Sequence, residues 1–436
     1  MPKFIFDDIV TDSRKITEGS LFIALKGEKF NGEDFAIEAI NKGATGVVVS
    51  KDCPESKLPS SGLVLKVEDT LAAYQSFARV WREKFNIPIV AITGSNGKTT
   101  TKDLTAAVLS ALGDVQKTSG NFNNEIGVPL TLLGITDSHK AAVVEIGMRG
   151  LGQIESLAKV VKPNIGIVTN VGETHIELLG SIENIAKAKR ELVEAIKTGG
   201  TVILNADDSN VMDMKSHVNE GVKVITFGIE HEADIRALSI VTGHASTIFT
   251  VKYQNNNYEY EIPMLGKHNV SNALAAISVG LSVGLQADEI RNGFDKLATT
   301  KMRFEIVERN GLHIINDAYN ASPASMRAAI MTTAEIASGR KIAVLGDMLE
   351  LGNISERVHK EIGEELVRNK FDILITLGKL GKCIADGAKS AGLDKIFTAD
   401  THEQAAEILN GLLNEGDTIL FKGSRGMQME KIIDLI

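Results

Sequence analysis

The sequence predicts an α/β protein of three domains: a small first α/β unit, a central unit built on a mostly parallel sheet covered by helices, and a third unit in which strands again alternate with helices. Two observations carry this expectation. At 436 residues the chain is too long for one ordinary core. Along its whole length short apolar runs of strand character alternate with helical stretches, the pattern of sheets buried on both faces.

Composition narrows the class. Hydrophobic residues at 43% and charged residues at 24% match a soluble globular protein. A net charge of -9 argues against a general electrostatic grip on nucleic acid or on an anionic membrane, so no nucleic-acid partner is expected and any anionic ligand must be held locally. The start, MPKFIFDDIV, lacks a basic flank followed by a long apolar stretch, and no apolar run is long enough to span a bilayer. A cytoplasmic protein with no integral membrane segment is expected. Cys53 and Cys383 lie far apart without a partner pattern and read as two reduced thiols.

Residues 1–85 carry the strand-like runs LFIAL (21–25) and GVVVS (46–50) around the helix-like DFAIEAINKGA (34–44), a small α/β unit. A helical pattern from Thr70 to Phe85 leads into the buried-strand signature IPIVAIT, where a second unit, 86–298, begins. Its strand candidates are AAVVEIG (141–147), IGIVTNV (165–171), TVILNA (201–206) and KVITFG (223–228). From Ile235 to Pro263 alternating TIFTVKY and YEYEIP segments flank NNN, the signal of a hairpin added to the main sheet. The third unit, 299–436, repeats the strand and helix alternation through HIINDAY, KIAVLGD, ILITLG, IFTA and TILFKGS, and is expected to be Rossmann-like.

The sharpest chemical signal is IVAITGSNGKTTTKD, a strand running through a glycine loop into a helix. Gly94 and Gly97 would let backbone N–H groups turn toward phosphate oxygens at a helix N-terminus, with Ser95, Asn96 and Thr100 completing the loop. Lys98 would meet the β- and γ-phosphates of ATP, and Thr99 would ligate Mg²⁺. This makes the central unit phosphate-loop NTPase-like, although Ile92 stands where the full GxxxxGK[ST] pattern has its first glycine. A structural turn containing GKT is the competing reading.

The short form TGSNGKTT resembles the phosphate loop of the Mur ligases and their folylpolyglutamate synthase relatives. The resemblance continues in order through TDSR (11–14), GSLFIALKGEKFNGEDF (19–35), NFNNEIGVPLTLL (121–133), EIGM (145–148), NVGETHIELLGS (170–181), AKAKREL (186–192), LGKHNVSNALAA (265–276), NDAYNASPASM (316–326), LGDMLELG (345–352) and KGSRGMQME (422–430). NFNNEIGVPLTLL, NDAYNASP and GDMLELG are similar to the versions carried by the family members that add D-alanyl-D-alanine.

That resemblance implies a set of roles. Glu145, at the end of an apolar strand and a hard oxygen donor, would be a metal ligand beside Thr99. His175 would ligate a second Mg²⁺. Lys189 matches a lysine whose carbamylated amine supplies an anionic oxygen; Lys187, on another helical face, reads as a surface lysine. Asn269 and Asn272 would lie near ATP, with N-capping the alternative. Arg303 would reach the γ-phosphate, and Asp317 and Asn320 would meet ribose and adenine, against a surface arginine and an Asx turn. Ser13 and Arg14 resemble uridine-nucleotide contacts, a buried arginine being a good diphosphate partner. Asn121, Asn123 and Asn124 would face the UDP-sugar, or simply form a turn. The family's GH pair is Gly32-Glu33 here. Lys98, His175, Lys189 and Arg303 would form the catalytic group.

The expected activity is an ATP- and Mg²⁺-dependent amide ligation by a monomer. The carboxylate of a UDP-N-acetylmuramoyl tripeptide would be phosphorylated and then attacked by the amine of D-alanyl-D-alanine. The rival within the family adds the third amino acid to the UDP-muramoyl dipeptide and usually carries a DNPR-type motif, where this chain has DAYNASPASM. A nucleotide switch or simple ATPase would need the loop but not His175, Lys189 or the third-domain motifs.

Overall fold

The structure, a computed structural model, describes residues 6–27, 30–297 and 302–436. The seam expected at 298/299 and the Glu28-Lys29 part of the motif at 19–35 lie outside the described residues.

The first sheet comprises β1 (Asp8–Val10), β2 (Ser20–Ile23), β3 (Gly46–Ser50) and β4 (Leu63–Val67), all parallel and in that spatial order. GVVVS forms β3 in full, while DFAIEAINKGA becomes a 3₁₀ turn, Gly32–Phe35, running into the helix Ala36–Asn41. The next helix, Thr70–Arg82, starts where the Asp69 carboxylate accepts from the N–H groups of Leu71 and Ala72 at 2.7 and 3.1 Å. It buries Tyr74 against the first sheet and joins that sheet to the next unit, since Trp81 Nε1 donates to the Ile135 carbonyl at 2.9 Å.

The central sheet has nine strands: β5 (Ile89–Thr93), β6 (Asp114–Lys117), β7 (His139–Glu145), β8 (Ile165–Val168), β9 (Thr201–Asn205), β10 (Lys223–Gly228), β11 (Ile235–Thr242), β12 (Thr247–Tyr253) and β13 (Asn256–Ile262). Their order is 13-12-11-10-9-8-5-7-6. β5 to β11 are parallel, with β11, β12 and β13 antiparallel in turn, so the expected hairpin is the outer part of a three-stranded extension. Alternate residues of β5 face opposite cores: Val90 and Ile92 pack on one side, Ile89 and Ala91 on the other. Burying each large aliphatic side chain contributes roughly 1.5–3 kcal/mol. β5 lies between β8 and β7, so the strand order reverses beside it and a crevice opens at the carboxyl ends of these strands.

The third sheet consists of β14 (Glu305–Arg309), β15 (Leu312–Asn316), β16 (Lys341–Gly346), β17 (Ile373–Leu377), β18 (Ile396–Ala399) and β19 (Thr418–Lys422), in the order 14-15-19-16-17-18. Only β14, at the edge, is antiparallel. The loops leaving β15, β16 and β19 face the crevice of the central sheet.

Candidate active site

The loop after β5 is held before any ligand meets it. Ser95 N–H donates to the Asn170 carbonyl at 2.9 Å, Asn96 N–H to Asn170 Oδ1 at 2.8 Å, and Thr169 Oγ1 to the Asn96 carbonyl at 2.7 Å. Gly97 has φ of 80° and is the N-cap of the helix Lys98–Leu109. A Cβ there would stand 2.3 Å from Asn272 Oδ1, and one on Gly94 1.8 Å from Thr169 Oγ1, so glycine is required at both positions. Lys98 Nζ curls back to the Gly94 and Ser95 carbonyls at 2.6 and 3.3 Å. Burial lowers its pKa; Glu145 opposes that shift and Arg303 adds to it.

Thr99 Oγ1 donates to Glu145 Oε2 at 2.8 Å, and Asn123 Nδ2 donates to Glu145 Oε1 at the same distance. Arg303, from the third unit, donates through Nη2 to Thr99 Oγ1 at 3.0 Å. Thr99 and Glu145 therefore present two hard oxygens side by side, the chemistry magnesium takes. Among the described residues no group of three or more His, Cys, Asp or Glu could hold a metal. The donor set fits a magnesium ion shared with phosphate oxygens rather than an all-protein cage.

His175 heads the short helix Ile176–Leu179 with φ of 58°, and its Nδ1 lies 2.6 Å from Glu350 Oε2, in the loop after β16, without a well-aligned hydrogen bond. Burial lowers its pKa, Glu350 raises it, and Lys98 and Lys189 lower it further. Lys189 is 2% exposed in the helix Ile182–Ala195, whereas Lys187 faces solvent, as their spacing predicts. Burial first, and then the charge of Lys98, hold the Lys189 amine well below its ordinary pKa, against the pull of Asp208.

Asn269 and Asn272 do not cap their helix. Gly266 occupies that position, and the two amides tie their helix to its surroundings: Asn269 Nδ2 donates to the Leu265 carbonyl at 2.8 Å, and Thr101 Oγ1, in the helix after the phosphate loop, donates to Asn272 Oδ1 at 3.2 Å. Asp317 accepts from Lys422 Nζ at 2.5 Å and from Phe304 N–H at 3.1 Å, while Asn320 is exposed. Asn124 is a turn former, its Oδ1 accepting from Gly127 N–H at 2.9 Å, and Asn121 is exposed.

These elements enclose a cleft of about 1310 Å³ between the central and third sheets. It is lined by all but four of the residues picked out in the sequence. Gly94 and Lys189 lie behind its wall, and Ser13 and Arg14 lie outside it. The expectation of a buried Arg14 is not met. Its side chain is 85% exposed and forks onto Asp12 at 2.9 and 2.8 Å, holding that carboxyl down at about 2. Glu33, where the family pattern has histidine, is buried and accepts from Ser50 N–H and Oγ at 3.0 and 2.6 Å, a structural tie at the end of β3.

Four cleft residues were missed singly although each sits in a quoted motif: Tyr319, Ser322, Glu350 and Lys422. Ser322 Oγ donates to Asn96 Oδ1 at 2.6 Å, joining the third unit to the phosphate loop. Their shared signal is position just past, or at, the carboxyl end of a third-sheet strand.

Comparison with known proteins agrees with this geometry. Family models match in sequence order: the Mur ligase family, catalytic domain over residues 6–82, the Mur ligase middle domain over 92–280, and the Mur ligase, glutamate ligase domain over 302–425. The UDP-N-acetylmuramoyl-tripeptide--D-alanyl-D-alanine ligase of Bacillus subtilis is 40% identical, covering 99% of this chain and 93% of that relative. The Escherichia coli protein of that name is 36% identical over 98% and 93%. Crystal structure I of MurF from Acinetobacter baumannii superposes with a TM-score of 0.90 at 31% identity, covering 99% of this chain and 93% of that one. MurF ligase from Thermotoga maritima in complex with ADP gives 0.88 at 28%, covering 100% and 98%. Three models in register, relatives matched from end to end and a shared cleft lead to one conclusion: the chain belongs to the Mur ligase family.

Proposed function

We propose that this chain is an ATP-dependent amide ligase that joins D-alanyl-D-alanine to a UDP-N-acetylmuramoyl tripeptide in peptidoglycan precursor synthesis, acting as a cytoplasmic monomer. Among the described residues no helix is long and apolar enough to cross a membrane. The observation that carries it is the meeting of Thr99, Glu145 and Arg303 at the phosphate loop, with groups from two sheets aimed at one point.

The tripeptide carboxylate attacks the γ-phosphorus of ATP, releasing ADP and leaving an acyl phosphate. The dipeptide amine then adds to the acyl carbon, loses its proton and expels inorganic phosphate. Lys98 exchanges its two loop carbonyls for β- and γ-phosphate oxygens, and Arg303 stabilises charge on the transferred group. Magnesium, when bound, neutralises phosphate charge. Thr99 and Glu145 would hold one ion; His175 and a carbamylated Lys189 would hold a second. Burial lowers the pKa of the Lys189 amine, which favours the unprotonated form, the one that can add carbon dioxide. Asn269 and Asn272 lie near the nucleotide, Asp317 and Asn320 stand at its ribose and base, and Asn121, Asn123 and Asn124 face the sugar. Ser13 and Arg14 are assigned to the uridine end; Arg14 would have to leave Asp12 for a diphosphate. Contact between the third and central sheets keeps water from the acyl phosphate.

The test is a panel of UDP-muramoyl dipeptide and tripeptide crossed with D-alanyl-D-alanine, D-alanine, L-lysine, D-glutamate and meso-diaminopimelate. Phosphate release should depend on the tripeptide and the dipeptide amine together, giving UDP-muramoyl pentapeptide by mass spectrometry. Addition of a single diamino acid to the dipeptide substrate would transfer the chain to the rival activity.

A further inference from the structure

Arg303 sits in an unusual backbone setting. The residues on either side, Met302 and Phe304, both have positive φ, 58° and 51°. Neither is glycine, and a bulky side chain there persists only where surrounding structure over-determines the conformation.

The determinants lie in one loop, the segment following β15. Tyr319 N–H donates to the Met302 carbonyl at 3.1 Å, and the Asp317 carboxylate accepts from Phe304 N–H at 3.1 Å. Alternate residues of that loop thus pin both strained positions, and the residue between them, Arg303, is turned outward. Asp317 is fixed in turn by Lys422, a buried cation at 2.5 Å that also donates to the Asn320 carbonyl at 2.9 Å. The Arg303 guanidinium lies over the Tyr319 ring, 4.0 Å from its centroid. Such stacking holds the guanidinium plane and leaves its edge free to donate, which it does toward Thr99. The Tyr319 hydroxyl makes no hydrogen bond to the described residues, so the ring is what the contact uses.

We propose that Tyr319 is a positioning residue for the reaction, its ring face acting as the platform that presents the Arg303 guanidinium to the transferring phosphate. The inference rests on the γ-phosphate role given to Arg303 above. It adds that the orientation of this arginine is set by an aromatic face from the neighbouring loop rather than by an acidic partner.

The experiment is a double-mutant cycle in the full-length enzyme with all three substrates saturating, folding being checked by circular dichroism. Tyr319→Ala should lower kcat roughly tenfold or more, the scale of a desolvated cation–π contact, with little change in KM for the UDP-tripeptide. Tyr319→Phe should recover most of that rate, and Tyr319→Leu, which has volume but no ring face, should not. In an Arg303→Ala background, Tyr319→Ala should cost less than twofold further. An undiminished loss in that background would mean that Tyr319 acts by itself, for instance on the nucleotide base, and would overturn the proposal, as would a Leu variant as active as the Phe one. If Arg303→Ala alone kept the full rate, the γ-phosphate role would fall instead, and that outcome is read from a different arm of the cycle.

Discussion

Two lysines of this chain carry opposite lessons. Lys98 is bonded to carbonyls of its own loop and needs only to exchange them for phosphate oxygens. Lys98→Ala should therefore leave the fold intact while raising the barrier by several kcal/mol, about 3–4 as for other single electrostatic groups. Near-normal kcat at saturating ATP in a folded variant would exclude the phosphate-loop assignment. Lys189 hydrogen-bonds to nothing among the described residues and is buried with a lowered pKa, so its value lies in what its amine can become. Lys189→Ala should abolish turnover and recover part of it in acetate, whose oxygens can occupy the vacated position. Lys187→Ala is the exposed control, and activity lost there but kept at Lys189 would refute the register. The glycine loop was legible from its own strand, turn and helix, whereas Glu145 and His175 stood out only through the motifs that contain them; the folded chain brings all three to one cleft. The exposure of Arg14 was not: TDSR contains its own carboxylate partner two residues away, and a local ion pair satisfies the guanidinium without burial.

Elements show the same division. Apolar runs such as GVVVS and TILFK became central strands, whereas β6, DVQK, is polar and lies at the sheet edge, where one face and one side stay open and no apolar pattern is needed. The turn into the helix Lys98–Leu109 is the most demanding element. Alanine at Gly97 would meet both a left-handed φ and Asn272, so Gly97→Ala should weaken nucleotide binding by at least tenfold and lower the melting temperature. Unchanged nucleotide affinity by calorimetry would show that the loop tolerates another shape. The helix Ser355–Arg368 has a different task. His359, fully buried, accepts the Met348 N–H at Nε2 (2.9 Å) and faces the Ser355 carbonyl through Nδ1 (2.6 Å), which props the loop after β16. Burial lowers its pKa below the unfolded value of about 6.5. Its contribution to stability is whole above that value and is lost as pH falls through the folded pKa. His268, pushed down to about 4 by burial, acts with the same sign. His359→Gln should thus show a smaller fall in melting temperature between pH 7.5 and 5.5 than the parent, and parallel curves would count against the assignment.

At the scale of the whole molecule, the third sheet meets the central one through Arg303 and Thr99, Ser322 and Asn96, and Glu350 and His175. None of these pairs is visible along the chain, because each joins groups that only the folded crevice brings together. Arg357 and Glu173 add a looser pair at 3.8 Å, 58% and 29% exposed, worth less than about 1 kcal/mol. Glu350→Ala should loosen the joint and raise ADP release in the absence of dipeptide, as water reaches the acyl phosphate; a leak no greater than that of Arg357→Ala would place the water barrier elsewhere. The three sheets themselves exchange no strand, each being completed by a continuous stretch, 8–67, 89–262 and 305–422. A chain leaving the ribosome at about 5–20 residues per second can therefore close each sheet from residues already outside the exit tunnel. The arginine that reaches Thr99 follows it by 204 residues. A nascent chain holds the residues of the phosphate loop well before it holds Arg303, and because the third sheet closes only with β19 it is expected to turn over no ATP until residue 422 has left the ribosome, which a turnover assay on stalled chains reads directly.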